Sequence, residues 1–109
     1  MKSIAFAVVA TLAASASSYA DTWAQNHPRR AQVNSRLANQ GARINNGVKN
    51  GTLTKGQAAQ LHREDHAIRT QERADAAAHG GHITKGEQRQ LNREENGVSR
   101  QIYAEKHGY

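Results

Sequence analysis

The 109-residue chain contains no cysteine, one proline, one tryptophan and one phenylalanine. The lack of cysteine excludes disulfides, thiolate nucleophiles, redox pairs and thiolate metal sites. Large apolar residues are scarce as well. From residue 21 onward the chain carries eleven Val, Leu and Ile and no Phe. At about 1.5–3 kcal/mol for each one fully buried, they support one small core and exclude a large enzyme core with a deep apolar pocket. Acids are missing from a long stretch too: between Thr22 and Arg63 stand seven bases and no acid. Overall, 15 Lys and Arg against 9 Asp and Glu give a formal charge of +6.

The first twenty residues have the pattern of an export signal. Lys2 is the positive start, Ile4–Ala14 form an apolar stretch, and Ser18-Tyr19-Ala20 place small residues at the −3 and −1 positions, which predicts cleavage after Ala20. The apolar stretch is too short to cross a hydrocarbon layer of about 30 Å, so no transmembrane anchor is expected. The expected location is the periplasm or the exterior of the cell.

The strongest positive feature is an internal repeat of thirty residues. Asn50-Gly51-Thr52-Leu53-Thr54-Lys55-Gly56-Gln57 lies over Gly80-Gly81-His82-Ile83-Thr84-Lys85-Gly86-Glu87, and Gln60-Leu61-His62-Arg63-Glu64-Asp65-His66 over Gln90-Leu91-Asn92-Arg93-Glu94-Glu95-Asn96. Thr54 with Gln57, and Thr84 with Glu87, have the spacing of a capping box at a helix start. The Asn-Gly and Gly-Gly pairs just upstream suit the end of a preceding helix. Helices are therefore expected at about 30–49, 55–78 and 85–106. Short connections make them antiparallel neighbours, giving an all-α, three-helix arrangement with a thin polar core. Residues 21–29 are expected to form a flexible N-terminal arm, and 30–109 a single domain with repeat units at about 50–79 and 80–109.

Several features suggest contacts. Arg29, Arg36 and Arg43 recur every seven residues as one stripe, and His62, His66, Arg69 and Arg73 form another. Such stripes suit the phosphates of lipid headgroups or lipopolysaccharide, or an acidic protein. Export and the few scattered aromatics argue against nucleic acid. The alternative for the arginines is pairing across the helices with acids such as Asp65 and Glu72, which flank the apolar seam and would set its register. The adjacent acids Glu64-Asp65 and Glu94-Glu95 read as solvated. His62 and His66, four apart on one helix face, have the spacing to seat Zn²⁺, Cu²⁺ or Ni²⁺, with Arg63 where a metalloprotease helix carries its glutamate. The Gly-x-[Leu/Ile]-Thr motif resembles half a calcium loop, but Val48, Ala76 and Ala78 fall where carboxylates are needed, so calcium is not expected. Tyr103, one residue past Ile102, is expected to cover the end of the seam.

The segment His27-Pro28-Arg29-Arg30-Ala31-Gln32-Val33-Asn34-Ser35-Arg36-Leu37-Ala38-Asn39-Gln40, the two Thr-Lys-Gly units and the ending Gln101-Ile102-Tyr103-Ala104-Glu105-Lys106-His107 resemble a group of small, exported, uncharacterised proteobacterial proteins over nearly all of 22–108. The resemblance implies export and a helical, cysteine-free fold, and assigns no site residues. No nucleophile with its base, paired-acid cleft or glycine-rich phosphate loop is present. The expected function is therefore non-enzymatic binding of an anionic envelope component or protein partner, through Arg29, Arg36, Arg43, Arg69 and Arg73. The alternative is transition-metal binding by His62 and His66, and a homodimer is possible on the thin seam.

Overall fold

The computed structural model describes residues 22–108; the expected export signal and its cleavage at Ala20 lie outside the described residues. Three long helices follow in order: α1 (Pro28–Lys49), α2 (Lys55–Ala78) and α3 (Lys85–Lys106), and each packs against both others. No strand occurs among the described residues, and none of their helices is long and apolar enough to cross a membrane.

Each helix begins and ends for a local chemical reason. Pro28 occupies the first turn of α1, where a missing N–H costs nothing. At α2 the backbone N–H of Gln57 donates to Thr54 Oγ1 at 3.0 Å while that of Thr54 donates to Gln57 Oε1 at 2.9 Å. The same reciprocal pair at α3 joins Thr84 and Glu87, at 3.1 and 2.8 Å. Gly51 (φ +79°) and Gly80 and Gly81 (φ +65° and +94°) turn the chain after α1 and α2 in a conformation that a side chain would strain.

The start of the chain differs from expectation. Residues 22–26 are helical and α1 already includes Pro28, Arg29 and Arg30, so the arm expected over 21–29 is folded against the bundle over the residues described. The Trp23 ring stacks on His27, centroids 4.7 Å apart, and His27 stacks on His82 at 4.8 Å, with Arg30 over Trp23. Tyr103 also departs from its expected place. It does not cover the seam; it is half exposed and stacks on His107.

The core runs along the inner stripe of all three helices: Val33, Leu37 and Ile44 from α1, Leu61 and Ile68 from α2, and Leu91, Val98 and Ile102 from α3. Leu53 and Ile83, in the loops before α2 and α3, close the two ends. Residues thirty apart share burial: Leu53 with Ile83, Leu61 with Leu91, Asp65 with Glu95, Ile68 with Val98.

Near its end, α1 meets the following loop at Gly47, which is buried. A Cβ there would lie 2.5 Å from Leu53 Cδ1 and 2.7 Å from its Cγ, whereas one on Gly97 of α3 would meet nothing within 4 Å. Gly47→Ala is therefore expected to destabilise the fold by about 1–3 kcal/mol. Gly97→Ala is expected to stabilise it by up to about 1 kcal/mol through helix propensity alone. Urea unfolding of the two variants checks the pair, and equal effects would contradict this packing.

Candidate functional site

The predicted arginine stripe on α1 faces its neighbours. Arg29 Nε donates to the carbonyl of Ile83 at 2.7 Å. Arg36 donates to the carbonyl of Asn92 and to Asn96 Oδ1, and its Nε lies 3.7 Å from Glu95 Oε1. Arg43 donates to Ser99 Oγ at 2.7 Å and to the Ser99 carbonyl at 3.2 Å. Arg30, which the seven-residue spacing passes over, grips the buried Glu72 with two nitrogens and the Gly81 carbonyl with a third. The α1 arginines thus clasp the bundle. The acids they reach are Glu72 and Glu95, and Arg43 takes a serine in place of an acid. Of the other two predicted arginines, Arg69 is half-buried between α1 and α2 and Arg73 is exposed.

Between the apolar layers lies a polar one. Gln40, Asp65 and Glu95 are each buried, one from each helix, so the acids expected to be solvated at 65 and 95 point inward. Gln40 Nε2 donates to the Glu95 carbonyl at 2.7 Å. Gln40 Oε1 and both carboxylate oxygens of Asp65 and of Glu95 are buried without a hydrogen-bond partner. All five are acceptors. Such a layer is held most cheaply when protons supply the missing donors. Accordingly, burial pushes the Glu95 carboxyl up from 4.5 to about 7, opposed by Arg36 and reinforced by Asp65 and Glu94. Burial likewise lifts Asp65 from 3.8 to about 6, with Glu64 adding to the rise and Arg69 opposing it.

The predicted histidines sit beside this layer. A cleft of about 290 Å³ between α1 and α2 is lined by Leu37, Ala38, Gly41, His62, Asp65, His66 and Arg69. His62 Nε2 lies 3.0 Å from Asn45 Oδ1, and His66 is exposed. Among the described residues no three His, Cys, Asp or Glu side chains form a group able to hold a metal ion.

Charge is sorted by depth. Among the described residues, histidine aside, the exposed charged side chains are Lys49, Lys55, Arg63, Arg73, Lys85, Arg89, Arg93 and Arg100, all basic. The buried charged side chains, Asp65, Glu72 and Glu95, are all acidic. The other acids among the described residues are half-buried, several held by neighbours: Asp75 by Gln71, Glu87 in the α3 cap and Glu94 by Gln90. No family model, curated protein or solved structure matches this chain. The inward direction of these acids was not expected from the sequence, although each stands four residues after a core leucine (Leu61, Leu91) and three before a core β-branched residue (Ile68, Val98).

The sign of the pH dependence follows from those two carboxyls. Folded Glu95 and Asp65 keep protons over a range, from about pH 4 to 7, in which the unfolded chain has released them. Their contribution to stability is therefore present at the acid end and is lost as pH rises through that range. Thermal unfolding between pH 5 and 8 is expected to show a midpoint that falls with pH, and a flatter profile in Glu95→Gln. An equally steep or rising profile in that variant would refute the assignment.

Proposed function

We propose that this is a non-enzymatic, exported binding protein whose outward basic faces engage an anionic component of the cell envelope, with an acidic protein as the alternative partner. The observation that carries the reading is the sorting of charge by depth: among the described residues eight bases, and no acid, are exposed. Basic side chains spread over helix faces attract headgroup phosphates at about 1 kcal/mol each near an anionic surface. The leader pattern of residues 1–20 supports export. The contact residues shift from those expected. Arg29, Arg36 and Arg43 already bond within the bundle, so the reading rests on the outward bases, among which only Arg73 was foreseen. Lys55 and Lys85, and Arg63 and Arg93, are repeat-matched pairs within that set.

Co-sedimentation with phosphatidylglycerol vesicles is expected to show binding that weakens as salt is raised. Exchanging Arg63, Arg73, Arg89 and Arg100 together for Gln is expected to weaken it by about 100-fold or more, with the unfolding midpoint nearly unchanged. Lipopolysaccharide and an acidic protein serve as parallel baits. Salt-independent binding, or full binding by the fourfold variant, would overturn the reading.

A further inference from the structure

The two repeat units present matched faces to α1, and α1 treats them differently. On the α3 side, the buried acid Glu95 is flanked by Asn92, Asn96 and Ser99, and α1 supplies a guanidinium: Arg36 lies beside the Glu95 carboxylate and donates to the carbonyl of Asn92 and the side chain of Asn96. On the α2 side, the matched buried acid is Asp65 and the matched flanking residues are His62, His66 and Arg69. There α1 contributes the small residues Ala38 and Gly41, which leave the cleft of about 290 Å³. Both Asp65 oxygens are buried and unpartnered. Arg69 lies close enough to act on Asp65 electrostatically without donating a hydrogen bond to it.

Where α1 provides a cation, then, the flanking pair is Asn and Asn, and where it provides none, the pair is His and His. Amides suit a guanidinium. Neutral imidazoles four residues apart on one helix face suit a borderline metal ion, whose charge a nearby carboxylate compensates. We propose that the cleft between α1 and α2 binds a divalent transition-metal ion, with His62 and His66 as its protein ligands and the buried Asp65 carboxylate accepting from metal-bound water. Two imidazoles with water completing the shell agree with the lack of any three-residue ligand group. Loading requires His62 to exchange its contact with Asn45 Oδ1 for the metal, at the cost of one hydrogen bond beside solvent. The role given to Asp65 is that of a second shell, which orients the bound water and holds the compensating charge.

The test is calorimetric titration of the protein with Zn²⁺, Ni²⁺ and Cu²⁺, each variant being checked for helicity and unfolding midpoint. One ion per chain is expected. His62→Asn/His66→Asn copies the Asn92 and Asn96 arrangement, so the fold should accept it, and it is expected to lose binding. Asp65→Asn is expected to weaken binding about 10-fold. Gly41→Arg has room for its Cβ and sends a guanidinium toward the cleft as Arg36 does opposite; it is expected to block binding while both histidines remain. His79→Asn/His82→Asn controls for surface histidines and is expected to bind as the parent does. The electron paramagnetic resonance spectrum of the Cu²⁺ form should show coupling to two imidazole nitrogens that the double variant lacks. Absence of binding, binding kept by the His62/His66 variant, or binding lost in the His79/His82 variant would each overturn the proposal. None of these outcomes bears on vesicle binding, which uses other residues.

Discussion

The interaction on which the bundle depends is the burial of two carboxyl groups in the middle of the core between three helices. A charge removed from water costs several kcal/mol unless it is paired or neutralised, and a small helical domain has little stability in reserve. The surroundings of Asp65 and Glu95 answer that constraint. Arg36 brings a positive charge from α1, Gln40 anchors the layer to the α3 backbone, and the carboxyls themselves retain protons at pH values where a solvated acid would not. A buried polar layer of this kind also favours one register of the three helices over its slipped alternatives, since a slip would bring these acceptors against apolar neighbours.

Sorting the acids inward has a second effect, at the surface. Glu72, Asp65 and Glu95 take three carboxylates out of the exterior, while the four α1 arginines turn their guanidiniums to the bundle. The remaining outward set is dominated by bases distributed over α2 and α3. The bases left facing outward stand, Lys49 apart, on α2 and α3, and no acid among the described residues is as exposed as they are.

Much of the scaffold was legible from local chemistry. The reciprocal Thr54–Gln57 and Thr84–Glu87 spacings mark helix starts to the residue, because a capping box depends on neighbours in the chain and little else. The apolar stripe was legible for the same reason, since a period near 3.6 survives any tertiary arrangement. The acids at 65 and 95 were not, because a carboxylate on a charged helix is solvated by default and only the third helix reveals that it points inward. The α1 arginines were legible as a stripe, but a stripe has no direction until its neighbours are placed. Trp23 joined the fold through a histidine fifty-nine residues away by way of His27, a contact that no local spacing announces.

The arginine clasp has a property that concerns sequence drift. Each of the four α1 arginines donates to a main-chain carbonyl of the facing segment: Arg29 to Ile83, Arg30 to Gly81, Arg36 to Asn92 and Arg43 to Ser99. A carbonyl is present whatever side chain follows it. These four bonds are therefore keyed on one side only: outward residues of the facing segment can change while they persist, whereas the first helix must keep its guanidiniums, and only the added contacts to Glu72, Glu95, Asn96 and Ser99 depend on the facing side chains. A chain built this way can diversify its outer surface without having to rediscover its fold.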